Sequence, residues 1–105
     1  MHNESHENVY KVEYLPTAIA DILGAEAYLN EHSPRAADKF TETIRKHEET
    51  LTLHPLIYPI YAGNKKYRLM PLAYKYLCFY IVEETTKTIK VYRVLRGMRD
   101  IPNLL

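Results

Sequence analysis

Apolar residues along this chain recur at every second position, then at every third and fourth, then at every second again. From Val9 to Leu15, Tyr10, Val12 and Tyr14 alternate with Lys11 and Glu13, the pattern of a half-buried strand. Pro16 stops that strand and suits the first turn of a helix, where its missing N–H costs nothing. The spacing then predicts a helix over 17–31, with Ala18, Ile19, Ile22, Leu23, Ala25 and Leu29 on one broad stripe and Gly24 as a mild internal weakness. Ser33 followed by Pro34 reads as an N-cap and first-turn proline for a second helix. Its stripe runs Ala37, Phe40, Ile44, His47, Leu51 in steps of three and four, and His54-Pro55 ends it. So short a link between two helices makes an antiparallel hairpin.

Residues 56–64 form a connecting loop with Pro59 and Gly63, and residues 65–70 a short strand interrupted by Pro71. Residues 73–82 are a nearly continuous apolar run with only Lys75 charged, which predicts the most buried strand. A polar turn at 83–87 leads to the last strand, 88–95, whose alternation sets Ile89, Val91, Arg93 and Leu95 against Lys90, Tyr92 and Val94. The expected architecture is a two-layer α+β domain of order β-α-α-β-β-β. Its helical hairpin packs on a mainly antiparallel four-stranded sheet. One domain over 9–105 is expected, after a polar, disordered tail at 1–8.

Composition agrees: 105 residues, 47% hydrophobic and 26% charged, suit one globular domain with a modest core. No window approaches the roughly 18 to 20 apolar residues of a membrane helix, and residues 1–8 are too polar for a signal peptide. A single cysteine, Cys78, allows no disulfide framework and fits a reducing cytoplasm. The histidine spacing (His2, His6, His32) suggests no metal cage, and no cofactor motif is present. Charge changes the picture more. Up to Leu53 there are five basic and ten acidic residues, a balance of −5; from His54 onward there are nine and three, a balance of +6. Such polarity between halves suggests an anionic or macromolecular partner for the second half. The plainer alternative is acid-rich helices beside strands that carry lysine as edge protection.

The ordered set of elements, with Tyr14-Leu15-Pro16-Thr17-Ala18, Asp21-Ile22, Ala36-Ala37, Phe40, Ile44, Leu51, Pro55, Tyr67-Arg68-Leu69, Phe79-Tyr80-Ile81-Val82 and Val94-Leu95-Arg96-Gly97-Met98-Arg99-Asp100, resembles the RelE/ParE superfamily of toxins from type II toxin–antitoxin modules (the plasmid stabilisation type). The resemblance spans Tyr10 to about Asp100 and implies a cytoplasmic growth-inhibiting toxin held inactive by a cognate antitoxin. A homodimer and a toxin–antitoxin heterotetramer are both compatible with it. RelE-like members cut messenger RNA in the ribosome; ParE-like members share the fold but poison DNA gyrase.

Metal-independent RNA cleavage needs a base, an acid and cations for the phosphorane charge. Arg68, Lys75 and Arg96 could stabilise a phosphate, with alternation placing Lys75 on the face of Leu77, where RelE-like members carry an arginine. Met70 stands where another basic group would be expected, and Arg96 where a histidine is common. Arginine stays protonated and makes a poor base. His47 reads as a core-edge residue and His54 as a helix-end cation. The resemblance is therefore closer to ParE, and an enzyme is not favoured. Arg68, Lys75, Tyr92, Arg93, Arg96 and Arg99 are the expected target contacts, forming one cationic surface at the sheet's open end, because Arg and Tyr are common interface anchors. Ile19, Leu23 and Phe40 are candidate antitoxin-groove residues, although core packing competes for each. An mRNA interferase and a degenerate member that keeps only antitoxin binding stay open as alternatives.

Overall fold

The computed structural model describes residues 9–97 and 101–105. The tail expected at 1–8 and the target contact expected at Arg99 lie outside them. Strand β1 (Lys11–Tyr14) leads into α1 (Pro16–His32) and α2 (Pro34–Leu53). Then come β2 (Arg68–Pro71), a 3-10 turn (Ala73–Lys75), β3 (Tyr76–Glu83), β4 (Thr88–Arg96) and a final helical turn, α3 (Ile101–Leu104). The sheet order is β1-β4-β3-β2. Strands β2, β3 and β4 form an antiparallel meander, and β1 joins β4 in parallel. This is the expected β-α-α-β-β-β order.

The helical hairpin follows from local chemistry. Pro16 occupies the first turn of α1. Ser33 closes one helix and opens the next: its N–H donates to Leu29 O at 2.8 Å, and its Oγ accepts from Ala36 N at 3.3 Å. Pro34 then begins α2. The hairpin packs on one face of the sheet, joining Ala18, Ala25, Leu29, Phe40 and Leu51 to Met70, Leu72, Tyr76, Cys78, Tyr80, Ile89, Val91 and Val94. Fully buried Phe40 and Tyr80 are large anchors of this core, each contributing about 1.5–3 kcal/mol by burial. None of the described helices is long and apolar enough to cross a membrane.

The opposite face of the sheet is not an open cationic surface. Tyr67, Phe79, Leu95 and Ile101 form a second apolar cluster, flanked by Tyr61, Leu69, Leu77, Ile81, Tyr92 and Leu104. The C-terminal turn α3 thus covers part of the face expected to be free.

Three local expectations are corrected. Strand β2 begins at Arg68, because residues 59–61 fold back on it, with Tyr61 N donating to Tyr67 O and Leu69 N to Pro59 O. The third strand begins at Tyr76, because Tyr74 (φ 60) and Lys75 (φ 67) take left-handed backbone in the turn before it. Alternation therefore does not carry Lys75 onto the face of Leu77. Finally, Phe79 pairs with Arg93 but Tyr80 with Val91, leaving Tyr92 as an extra bulged residue. The bulge inverts the alternation of β4, so Ile89, Val91 and Val94 face the helices while Arg93 and Leu95 share the other face.

Candidate functional site

The bulge decides the fate of Arg93. Its Nε donates to Asp21 Oδ2 at 2.7 Å, its Nη2 to Asp21 Oδ1 at 3.0 Å, and its Nη1 to Leu104 O at 2.8 Å. The same carboxylate accepts from Val94 N at 2.9 Å, capping β4 beyond the end of β1. The paired carboxylate raises the Arg93 pKa still further, chiefly through the side-chain hydrogen bond. An arginine expected to meet a target is instead a bidentate tie between α1, β4 and α3.

Arg68 is also engaged internally, donating from Nη1 to Tyr58 O at 2.7 Å and fastening the loop after α2. Its cross-strand partner is Tyr80, whereas that of Arg96 is Tyr76. These positions lie on opposite flanks of β3 and about 13 Å apart along it. Tyr92 packs edge-on against Tyr67, with Lys66 Nζ 5.6 Å from each ring centroid. The structure therefore brings Arg68, Tyr92, Arg93 and Arg96 to no common patch.

Two of the expected residues, Lys75 and Arg96, do converge. The Arg96 guanidinium lies 5.4 Å from the Tyr28 ring centroid and 5.8 Å from that of Tyr76, and it donates to Tyr28 Oη at 3.3 Å. Flat, weakly hydrated guanidinium stacks well on aromatic faces, so the side chain is held while still exposed. Burial raises the Tyr76 phenol above its ordinary pKa, with Arg96 opposing, so its ring stays neutral beside the cation. Gly97 N donates to Lys75 O at 2.8 Å, fixing the left-handed turn against the end of β4. Tyr28, Leu29, His32, Ala36, Tyr74, Lys75 and Arg96 line an open cleft of about 380 Å³ between the turn and the hairpin tip. Two consecutive non-glycine residues in left-handed backbone cost roughly 1–2 kcal/mol each, and such strain concentrates where residues contact ligands.

A second cleft of about 410 Å³ lies on the other side of Arg96, lined by Ala20, Asp21, Gly24, Tyr28, Tyr76, Val94, Leu95 and Arg96. Tyr28 and Arg96 are thus a wall common to both.

For the groove expected to receive an antitoxin, Phe40 is fully buried and cannot line it. Ile19 and Leu23 are 48% and 61% exposed, so core packing does not claim them. The acid–base candidates lie apart from Arg96. His47 Nδ1 donates to Thr43 O at 2.8 Å and its ring stacks on Tyr58, and His54 stands exposed at the end of α2. Among the described residues no three His, Cys, Asp or Glu side chains converge on a metal position.

Sequence reasoning missed Tyr28 and Tyr76 as partners of Arg96, and His32 as a ring packed on Tyr28. An aromatic and a histidine four residues apart at the end of α1 were the available signal: their rings lie 4.7 Å apart, and His32 Nδ1 sits 3.0 Å from Tyr28 O.

A family model described as the ParE toxin of the type II toxin–antitoxin system, parDE, matches residues 12–101. A search of curated protein sequences finds no match. Among solved structures, a chain from the chromosomal ParDE toxin–antitoxin system of P. aeruginosa superposes with a TM-score of 0.68 at 17% identity, covering 85% of this chain and 97% of that one. A chain from the intact E. coli RelBE toxin–antitoxin complex gives 0.60 at 15% identity, covering 86% and 99%. At these identities the likeness is one of fold.

Proposed function

The chain belongs to the ParE toxin family of type II toxin–antitoxin systems, and we propose that it arrests growth by binding DNA gyrase and is neutralised by a co-encoded antitoxin. The observation that carries this reading is the cluster around Arg96. A stacked, exposed arginine, a lysine on a strained turn and the exposed Tyr74 make up binding chemistry: an aromatic and cationic anchor for a protein surface. A nuclease would need Arg68, Lys75 and Arg96 around one phosphate, with an acid and a base beside them. Arg68 is tied to Tyr58 O on the far flank of β3, which argues against that use. Lys75, Tyr74 and Arg96 are the proposed target contacts.

Expression with and without the neighbouring antitoxin gene tests the proposal, together with a supercoiling assay on purified gyrase. Growth arrest relieved by the antitoxin, inhibited supercoiling and intact transcripts are expected. Cleaved messenger RNA with unimpaired supercoiling would replace this reading with the ribosome-dependent nuclease, and no arrest at all would favour a member that keeps only antitoxin binding. Arg96→Ala should retain the fold and lose most of the toxicity; full toxicity would remove Arg96 from the target surface.

A further inference from the structure

Leu53, Leu56, Ile57 and Ile60 fall within eight consecutive positions, and more than half of each is open to solvent. Val9, 40% exposed, reaches the same end of the molecule, because Tyr10 N donates to Thr52 O at 2.9 Å. The loop that carries these side chains is not slack. Its carbonyls are fastened to the sheet: Pro55 O accepts from Tyr80 Oη at 3.1 Å, Tyr58 O from Arg68 Nη1 at 2.7 Å, and Pro59 O from Leu69 N at 3.0 Å. Pro55 and Pro59 also fix φ. Tyr58 packs against the core and stacks on His47, while Leu56, Ile57 and Ile60 stay outside. A loop tied down in this way cannot fold its apolar side chains under, and it loses little freedom when they are covered.

The kind of surface this makes narrows what can cover it. Residues 59–61 close the outer edge of β2, so this end offers side chains and not a free strand edge. No Asp, Glu, Lys or Arg occurs from residue 53 to residue 64. A charged partner has nothing to pair with there, whereas an identical patch meets no like charge. Residues 1–8 contain one apolar side chain, Met1, too little to match the patch. The patch also holds a recess, a cleft of about 380 Å³ lined by His54, Pro55, Leu56 and Ile57, close in the chain to the exposed Leu53 and Ile60. A two-fold interface needs recess and projection on one surface, since each patch must fit its own copy. Taking roughly 200 Å² for a fully exposed Leu or Ile, the five residues present about 500 Å², and two copies together about 1,000 Å², where specific interfaces begin.

We propose that this end of the molecule is the contact of a two-fold homodimer, in which residues 53–60 of two copies pack on each other. The contact shares no residue with the two clefts at Arg96, so each copy keeps its own target surface and the dimer presents two of them. It does not depend on which macromolecule Arg96 meets.

Sedimentation velocity on the purified full-length chain, from about 1 to 200 µM, tests the contact. An interface near the lower size limit gives a reversible dimer with a Kd of about 10 µM, so the average mass should climb from that of a monomer toward twice that value. A chain that is still monomeric at 200 µM overturns the proposal, as does association that runs past the dimer to ever larger species. Ile57→Glu and Ile60→Glu each set a charge in the contact and should weaken association at least about tenfold. Both side chains are exposed in the single chain, so circular dichroism and the melting temperature of dilute samples should not change. Leu23→Glu, similarly exposed but on α1, should leave association as it was. Undiminished dimer formation by the Ile57→Glu, Ile60→Glu double variant, or its loss in Leu23→Glu, places the contact elsewhere and overturns the assignment. The growth and supercoiling assays are read separately, so failure here leaves the toxin reading untouched.

Discussion

Replacing Asp21 by alanine is the sharpest test of how Arg93 is used. The substitution removes three hydrogen bonds at once, two from the Arg93 guanidinium at 2.7 and 3.0 Å and one from Val94 N at 2.9 Å. Both side chains are largely shielded, with 24% of Arg93 and 14% of Asp21 exposed, so screening by solvent discounts the pair only modestly. What remains is a cation held mainly by Leu104 O and a strand N–H with no acceptor. An unpaired backbone donor costs about 1–3 kcal/mol, and stranding a shielded charge costs about 3–5 kcal/mol in a full interior. A half-open site in which the long arginine stem can swing toward water brings the sum to about 3 kcal/mol. At about 4 °C per kcal/mol, that lowers the melting temperature by about 12 °C. Urea unfolding of Asp21→Ala, Arg93→Ala and the double variant closes a mutant cycle, with an expected coupling of about 1.5–3 kcal/mol. If Arg93→Ala melts like the unaltered chain and merely loses toxicity, Arg93 is a target contact and the structural assignment is refuted.

Other outcomes follow from single environments. Burial lifts the Cys78 thiol from 9.0 to about 12 and the Tyr80 phenol from 10.0 to about 12. Between those values the unfolded chain holds fewer protons than the folded one, so stability should fall as pH rises, by about 1.4 kcal/mol per unit above pH 9 for the thiol. Urea titrations from pH 7 to 11 should show this fall beginning near pH 9, and in Cys78→Ala its onset should move to near pH 10. Phe40→Ala should cost about 3–5 kcal/mol, and any antitoxin binding it loses should track the unfolded fraction measured by circular dichroism. Lys75→Gly relieves a positive φ and should stabilise the fold by roughly 1 kcal/mol while reducing toxicity, read from paired melting and growth assays.

The residue order carried most of the architecture. Strand alternation at Tyr10–Tyr14, proline at both helix starts and Ser33 between the helices act through neighbours a few positions away, so their consequences are legible along the chain. The superfamily resemblance rested on the same local features and agrees with the family match over residues 12–101. The site was less legible. A cationic surface was expected because the second half carries a +6 balance, yet a balance records how many charges exist and not where they point.

Where they point depended on contacts formed only after folding. One extra residue, Tyr92, inverted the tail of β4, and Arg93 then met a carboxylate 72 positions earlier in the chain. Tyr28 and Tyr76, 48 positions apart by number, came to hold Arg96 because α1 lies across the end of β3 and β4. Bulges, ion pairs and stacked rings take their energy from partners distant along the backbone, and no short-range periodicity encodes them. Gly24 shows the same division: its weakness as a helix residue was visible in the chain, but the cleft it lines with Val94, Leu95 and Arg96 existed only in three dimensions.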